Sequence, residues 1–232
     1  MVISIIIPTY NEEAHISHLV RHLVQSGGAG LAEILVVDAG SKDRTVVLAR
    51  EAGARVLISA SKGRAAQMNL GTREARGDIL YFVHADTLPP ATFIQDITGA
   101  VAEGFPIGCY RFKFQSENLL LKINSYCTRF NRIMCRGGDQ SLFVTRSVFE
   151  QLQGYREEYL IMEEYDFIRR ARKFHPFRIM PKDVLVSARK YVHNGYLRVN
   201  LANLAIFMMW FAGCSQTRMV NTYHRLIHRP HS

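Results

Sequence analysis

The sequence predicts an α/β fold in which a mostly parallel central sheet is flanked by helices and followed by a C-terminal helical extension. Strand patterns alternate with helical patterns four times within the first 86 residues, and the connections between them are short. Alternation of this kind is typical of parallel strands joined by right-handed crossovers. The length of 232 residues fits a single domain, 1–232, and the 48% of hydrophobic residues is ample for its core.

The first strand is predicted in "VISIIIP" (2–8), a continuous β-branched run that suits a strand buried on both faces. A helix follows in "NEEAHISHLVRHLVQSG", and we expect Asn11 to be its N-cap and Gly27 to end it. The remaining elements of this half are strands in "AEILVVDAGS", "ARVLISA" and "DILYFVHAD", and helices in "KDRTVVLAREAG" and "GRAAQMNLGTREARG".

The second half has a less regular pattern. A strand is predicted over 105–115, and a further strand pair or one bent strand is predicted in "FRIMPKDVLVSARKYV". The segment "DQSLFVTRSVFEQLQGY" indicates a short strand followed by a short helix. Helices are predicted in "NLLLKINSYCTRFNRIM", in "LIMEEYDFIRRARKF", and once or twice within 196–227.

Composition narrows the class of partner and the compartment. The net charge of +9 favours an anionic partner, which could be nucleic acid, a phosphorylated substrate or a lipid surface. The four cysteines are not spaced as a metal or redox pair, so we expect reduced thiols in a cytosolic protein. No signal peptide is predicted, and the longest apolar stretch, 201–215, is shorter than the about 20 residues of a spanning helix. We expect a cytoplasmic protein, with peripheral contact at the inner membrane face as an alternative.

Polar side chains follow three of the predicted strands. In open α/β sheets, ligands bind beyond the carboxyl ends of the strands. The sequence has no G-x-G-x-x-G after its first strand and no G-x-x-x-x-G-K-[ST], which argues against dinucleotide-binding and P-loop proteins. The candidate residues are Thr9, Asn11 and Glu12 after the first strand, Asp38, Ser41 and Asp43 after the second, and Asp86 after the fourth.

The segments "SIIIPTYNEE", "ILVVDAGSKDRT" and "GRAAQMNLGTREARGDILYFVHAD" together resemble the family 2 glycosyltransferases of the GT-A fold. Within that family, "GGDQSLFVTRSVFEQLQGY", "IMEEYDFIRRARK" and "SARKYVHNGYLRVNLAN" resemble a bacterial subgroup, the radical-SAM/selenodomain-associated transferase 2 proteins. The resemblance implies an inverting, metal-dependent enzyme that uses a nucleotide-diphosphate sugar, with a uracil base expected. It divides the chain into a donor half (1–104), an acceptor half (105–195) and a helical extension (196–232).

The resemblance also implies a donor site. Asp38 would accept hydrogen bonds from the base or ribose, and Asp78 would be a second such acid unless it is only a turn residue. Arg64 and Arg189 would hold the diphosphate, although each could equally be an ordinary surface base. The full set of nucleotide-binding residues implied is Pro8, Thr9, Asn11, Glu12, Asp38, Ser41, Arg64, Asp78, His84, Ala85, Asp86 and Arg189.

Asp86 is the predicted metal ligand. The family carries a D-x-D-type motif here, whose last acid binds a divalent ion, and this sequence has "HAD" with His84 in place of the first acid. The expected cofactor is Mn²⁺ or Mg²⁺, which prefer oxygen ligands and offset charge on a diphosphate leaving group. A plain strand-end residue is the alternative for Asp86, and His84 would bind the nucleotide or pack.

The predicted general base lies in "MEEYDF". The family uses an E-D pair at the start of a helix, which matches Glu163 and Glu164, with Asp166 as a rival candidate. Residues 164 and 166 point to different faces of a helix, so they are not expected to share the role. The alternative is a solvated helix N-terminus favoured by the helix dipole. Asp139 and Gln140 are predicted to contact the acceptor.

Several alternatives remain open at this point. Residues 196–227 could lie at a membrane interface, pack on the sheet or form a homodimer contact. The expected partners are a nucleotide-sugar donor and an unknown acceptor, and not nucleic acid. A non-catalytic nucleotide-sugar-binding or membrane-associated protein is the main rival. A nucleotidyltransferase is disfavoured because the glycine-rich, basic first loop is missing.

Overall fold

The computed structural model describes residues 1–227, so the last five residues of the predicted extension, 228–232, lie outside the described residues. Eight strands form one sheet, with ten helices packed around it in this part of the chain. The strands are β1 (Ile3–Thr9), β2 (Leu31–Asp38), β3 (Arg55–Ile58), β4 (Ile79–Phe82), β5 (Thr87–Leu88), β6 (Ile107–Phe114), β7 (Leu142–Thr145) and β8 (Phe177–Val186). The helices are α1 (Ile16–Gly27), α2 (Thr45–Glu51), α3 (Arg64–Glu74), α4 (Phe93–Ala102), α5 (Leu119–Cys127), α6 (Arg146–Gln151), α7 (Glu163–Ala171), α8 (Arg189–Asn194), α9 (Tyr196–Phe211) and α10 (Gln216–Leu226).

The strand order is β3-β2-β1-β4-β7-β6-β8-β5. The first four strands are parallel, as predicted from the alternation of strands and helices. The other half of the sheet is mixed, because β7 is antiparallel to both β4 and β6, whereas β8 is parallel to β6 and antiparallel to β5. Thr9 lies directly beside Asp38 in the register of β1 and β2. The loops after these two strands therefore start side by side at one edge of the sheet.

Both faces of β1 are buried in separate hydrophobic cores. Ile3, Ile5 and Ile7 pack with residues of α1, α2 and α4 on one face of the sheet. Ile6 packs with residues of α3, α6 and α7 on the other face. Because successive side chains of a strand point to opposite faces, the consecutive residues Ile5, Ile6 and Ile7 bury both of them.

Two local predictions in the first half were wrong. Asn11 is not the N-cap of the first helix, which begins at Ile16, and Asn11 instead has a left-handed φ of 52° in the loop after β1. The fourth strand does not extend to Asp86, because β4 ends at Phe82. His84 and Asp86 therefore lie in a loop, and the chain then re-enters the sheet through β5.

The second half follows the predicted pattern with two differences, both in helices. The long strand is β8, and its register against β6 skips Pro181 and Lys182, which agrees with the predicted bend. Proline cannot donate a ladder hydrogen bond, so the skip falls where a regular ladder would be interrupted. The chain then forms α8, where a strand was predicted, and α5 ends at Cys127, earlier than predicted. Two helices, α9 and α10, fill the described part of the extension.

Candidate active site

The loops after β1 and β2 are held together by reciprocal hydrogen bonds. The backbone N–H of Asn11 donates to Ser41 Oγ over 2.8 Å, and the N–H of Lys42 donates to Asn11 Oδ1 over 2.9 Å. The backbone N–H of Glu12 donates to Thr45 Oγ1 over 2.8 Å. These bonds make the two loops one rim at the carboxyl edge of the parallel strands, where ligands bind in sheets of this type.

Asp38, the last residue of β2, stabilises this rim through hydrogen bonds to its backbone. Its side chain is only 1% exposed, and its Oδ2 accepts hydrogen bonds of 2.8 Å from the N–H groups of Gly40 and Ser41. Its Oδ1 accepts from the hydroxyls of Ser41 and Thr9. Both carboxylate oxygens are thus bonded within the protein, and Asp38 lines neither of the clefts described next.

Two adjoining clefts open beside the rim. The smaller has a volume of about 390 Å³ and the larger about 1070 Å³, and Arg64, Asp139 and Arg189 line both. The smaller cleft brings together predicted residues from five separate segments of the chain. Those residues are Pro8, Thr9, Glu12, Arg64, His84, Ala85, Asp86, Asp139 and Arg189.

Arg189 joins two acids in the smaller cleft. Its Nη2 lies 2.6 Å from Glu12 Oε1 and 3.5 Å from Asp86 Oδ2. Partial burial acts to lower the pKa of Arg189, but the hydrogen bond and charge of Glu12 outweigh it, so the net shift is upward. The pocket therefore contains a permanently charged guanidinium beside two carboxylates.

The same residues fit a divalent ion held jointly with a substrate. Within residues 1–227 no group of three or more His, Cys, Asp or Glu side chains is arranged to hold a metal ion. Mg²⁺ and Mn²⁺, however, commonly take one or two carboxylates and complete their shell with substrate phosphates and water. Asp86 lines the cleft, and Glu12 Oε2 is buried without a hydrogen-bond partner in the described structure. These hard oxygen donors suit such a shared site.

His84 lies between two carboxylates at the junction of the clefts. Its Nε2 is 3.2 Å from Glu164 Oε1, and its Nδ1 is 3.5 Å from Asp139 Oδ1. Burial alone lowers the pKa of His84, but the Glu164 and Asp139 carboxylates outweigh it and raise the pKa to about 10. His84 is therefore an imidazolium at neutral pH. A side chain at Gly138 would overlap both the Glu164 carboxylate and the His84 ring, so this contact requires glycine at that position.

Glu163 and Glu164 both line the larger cleft from the first turn of α7. Glu163 is 1% exposed, and its Oε1 lies 2.7 Å from Arg64 Nε at the start of α3. Burial raises the pKa of the Glu163 carboxyl, an effect that the Arg64 charge opposes. The charge of Glu163 in turn raises the pKa of Arg64. The Arg64–Glu163 pair therefore joins α3, which begins with a predicted diphosphate ligand, to α7, which carries the predicted general base.

The predicted residues Asn11, Asp38 and Ser41 belong to the rim without lining either cleft, and three more predicted residues lie outside both the rim and the clefts. Asp166, on the other side of α7, is bonded to Arg170 Nε at 2.8 Å and also lies near Arg156 and Arg169. Asp78 precedes β4, at the opposite edge of the parallel strands, where its Oδ2 accepts a hydrogen bond from the N–H of Val2. Gln140 is buried and lines neither cleft.

Other residues of the clefts were not predicted from the sequence. Tyr10, Lys62 and Gln67 line the larger cleft, and Lys62 Nζ lies 5.5 Å from the Tyr10 ring centroid. Gln67 donates hydrogen bonds to the carbonyls of Thr9 and Val37, which ties α3 to the ends of β1 and β2. Lys62 could have been found, since it follows the third strand at the same edge of the sheet.

The mixed sheet, the carboxyl-edge rim and the flanking helices define the GT-A fold of nucleotide-sugar glycosyltransferases. The sequence model of "Glycosyl transferase family 2" matches residues 4–160. The chain belongs to this family, and glycosyl transfer is the reaction class of its members.

Curated relatives agree with this assignment. The chain is 31% identical over 115 residues to an undecaprenyl-phosphate 4-deoxy-4-formamido-L-arabinose transferase of Pseudomonas paraeruginosa, a match that covers 45% of this chain and 34% of the relative. It is 31% identical over 112 residues to a dolichol-phosphate mannosyltransferase of Pyrococcus furiosus, covering 46% of this chain and 32% of that one. The matches thus span about a third of the length of these curated relatives.

Solved structures share the fold at low sequence identity. Glucosyl-3-phosphoglycerate synthase of Mycobacterium tuberculosis, crystallised with Mn²⁺, UDP and glucosyl-3-phosphoglycerate, superposes with a TM-score of 0.62 at 17% identity. The match covers 100% of this chain and 81% of that chain. S. aureus TarS (1–349) gives a TM-score of 0.66 at 16% identity, covering 97% of this chain and 72% of that chain.

Proposed function

We propose that this chain is an inverting glycosyltransferase that moves a sugar from a nucleotide-diphosphate sugar, UDP-linked, to an acceptor hydroxyl. One observation carries the proposal: Glu164 in the larger cleft contacts His84, two residues before Asp86 in the smaller cleft. A candidate base and a candidate metal ligand are therefore neighbours across one junction. The proposal includes the radical-SAM/selenodomain-associated transferase 2 subgroup, which the segments "GGDQSLFVTRSVFEQLQGY", "IMEEYDFIRRARK" and "SARKYVHNGYLRVNLAN" support.

The donor is proposed to bind with its nucleoside on the rim and its diphosphate in the smaller cleft. Tyr10 and Lys62 offer a ring and a cation at the rim, while Asp38 keeps the two loops in place. Arg64 and Arg189 line both clefts and supply positive charge for the diphosphate. In this arrangement residues 1–104 supply most of the donor site, and 105–195 supply Arg189, Asp139 and the α7 acids.

A divalent ion is the proposed cofactor. Asp86 would hold Mn²⁺ or Mg²⁺. Glu12 would be a further ligand, since both carboxylates contact Arg189 and therefore lie close together. A bound ion supplies charge stabilisation for the leaving diphosphate. Arg189 would assist from the same position, because its guanidinium stays protonated at any physiological pH. The Mn²⁺ and UDP in a structural neighbour support this choice for the present chain.

The proposed reaction is a single displacement at the anomeric carbon. The acceptor oxygen forms its bond to that carbon while the bond to the diphosphate oxygen breaks on the opposite face, which inverts the configuration. Glu164 takes the acceptor proton as general base. His84 is proposed as a positioning residue, since its imidazolium holds the Glu164 carboxylate on one side and Asp139 on the other.

The larger cleft is proposed as the acceptor site. Its volume of about 1070 Å³ exceeds what a single sugar needs, and its walls include Phe112, Met134 and Phe207 beside the α7 acids. Apolar walls next to the proposed general base suit an acceptor with a nonpolar portion. The names of the curated relatives pair sugars with undecaprenyl or dolichol phosphate, which supports a lipid-linked acceptor here.

The test is a donor and acceptor panel with purified protein. We expect release of nucleoside diphosphate from a UDP-sugar in the presence of Mn²⁺, and a sugar product of inverted anomeric configuration. Nucleotide-sugar binding without turnover for every acceptor would instead support a non-catalytic binding protein. Release of pyrophosphate from a nucleoside triphosphate and a sugar phosphate would support a nucleotidyltransferase and contradict the proposal.

A further inference from the structure

Helix α9 has two apolar faces, and only one of them is buried. Val199, Ala202, Ile206 and Trp210 face the protein and are at most 7% exposed. The opposite stripe is spaced by four, three, four and three residues, which keeps it on one face of a helix. Its members are between 52% and 73% exposed: Leu197, Leu201, Leu204, Met208 and Phe211.

A second exposed apolar row lies on α5 and the turn that follows it. The two helices are joined by polar contacts, because Asn124 Nδ2 donates to Asn200 Oδ1 and the Tyr196 hydroxyl donates to Asn124 Oδ1. Both rows therefore flank one helix junction, which we call the α5–α9 face. The members of the second row are Leu119, Leu120, Ile123, Tyr126, Phe130 and Met134.

The charge around this face is predominantly positive, with Glu117 paired to Lys122 at the start of α5. Residues 118–138 contain four lysines or arginines, residues 184–227 contain five, and neither segment has an aspartate or glutamate. The rest of the chain carries twenty bases and twenty acids, so these two segments account for the whole net charge of +9. Five of the bases in these two segments are exposed: Arg129, Arg132, Arg198, Arg218 and Arg225.

We propose that the α5–α9 face docks on an anionic lipid bilayer, with its apolar rows in the interface and its arginines among the headgroups. Amphipathic helices with basic flanks bind anionic membranes in this way. None of the helices within 1–227 is long and apolar enough to span a membrane. A homodimer through the same face would bring two predominantly basic surfaces together, which is electrostatically unfavourable.

The docking surface also meets the larger cleft. Leu204 and Met134 belong to the exposed rows and line that cleft as well. Docking would therefore bring the cleft mouth to the membrane surface. The bilayer contact does not depend on the proposed sugar transfer, since binding to lipid needs neither donor nor acceptor.

The experiment is co-sedimentation of the full chain with vesicles of phosphatidylglycerol and, separately, of phosphatidylcholine. We expect binding to phosphatidylglycerol that weakens with salt, and little binding to phosphatidylcholine. The double variant Leu201→Glu with Met208→Glu should bind phosphatidylglycerol more than about tenfold more weakly, since two buried apolar side chains are lost. A matched control, Val24→Glu with Val47→Glu, adds the same charge at exposed positions on α1 and α2 and should bind as the wild type does.

Three outcomes would overturn the proposal. They are no vesicle binding by a folded wild type, equal loss in both double variants, and unchanged binding in the α9 variant. Sedimentation velocity distinguishes the dimer: a wild-type dimer that the α9 variant dissociates, without vesicle binding, would assign the face to a second copy. Circular dichroism and unfolding temperature show that each variant is folded.

Discussion

Both sides of helix α7 carry an acidic side chain, but the two acids have different partners and different roles. On one side, Glu164 faces the junction of the clefts and contacts His84. On the other side, two residues further on, Asp166 is 1% exposed and lies among three arginines. Residue type and helix position are nearly equal, so the partners decide the role. A carboxylate bonded by several arginines stabilises the fold, whereas one beside a substrate cleft is available for proton transfer.

Glu164→Gln should produce the largest effect. Loss of the general base is expected to lower the turnover rate by about 10²–10⁴-fold, because proton transfer is then uncatalysed. Donor binding should remain, since Glu164 lines the acceptor-side cleft and not the smaller one. Steady-state turnover together with calorimetric donor binding checks this. Near wild-type turnover in the variant would remove Glu164 from the mechanism.

Asp166→Asn should lower the stability of the fold while the enzyme keeps its turnover. Removing one partner of a buried ion cluster leaves Arg170 without its 2.8 Å partner, and we expect a loss of about 2 kcal/mol in the free energy of unfolding. Urea unfolding measures it. The control Glu150→Gln breaks only an exposed pair 4.0 Å long and should change stability by less than about 0.5 kcal/mol. A turnover loss in Asp166→Asn as deep as that of Glu164→Gln, in folded protein, would contradict the division of α7.

Asp86→Asn sharpens the comparison from the donor side. In the wild type, Mn²⁺ should strengthen UDP binding by at least about tenfold, since the ion links a carboxylate to the diphosphate. The variant should lose this increment while retaining the weaker metal-free binding, as measured by titration calorimetry. Asp78→Asn, at the opposite edge of the sheet, should behave as the wild type. Equal Mn²⁺ dependence in the wild type and Asp86→Asn would place the ion elsewhere.

Glu163→Gln should give the smallest effect, and one that depends on pH. Burial raises the pKa of Glu163 in the folded protein, so the native state binds its proton more tightly than the unfolded state does. Wild-type stability from this group is present below the ordinary pKa of 4.5 and is lost as the pH rises through the raised value. The difference in unfolding temperature, glutamine variant minus wild type, should therefore be more positive at neutral pH than near pH 4.5. A difference that does not change with pH would contradict the shift.

Most of the fold could be predicted because its signals are local. The isoleucine run of β1 and the glycine at Gly53, with a φ of 105°, identify a buried strand and a helix end directly. The loop at His84–Asp86 and helix α8 could not be predicted, because the neighbouring β5 and β8 are set by long-range pairing. An apolar run alone does not show where pairing stops.

In the candidate site, individual residues could be predicted from the sequence, whereas the contacts between them could not. Asp86 and Arg189 were predicted from motifs, but their contact spans the chain and is visible only in the structure. The His84–Glu164 contact joins residues 80 positions apart. Asp78 was predicted as a nucleotide ligand from the family resemblance, but it directly precedes β4 and so lies opposite the carboxyl ends of the parallel strands, as strand direction alone indicates. Spacing showed that 164 and 166 diverge, and only the arginine partners show which of them is structural.

A crystal structure with a UDP-sugar and Mn²⁺ tests the central claim most directly. The anomalous signal of manganese should lie beside Asp86, with the diphosphate between Arg64 and Arg189 and the sugar directed toward Glu164. A donor and ion bound away from both clefts, or a sugar whose anomeric carbon faces away from Glu164, would contradict the account.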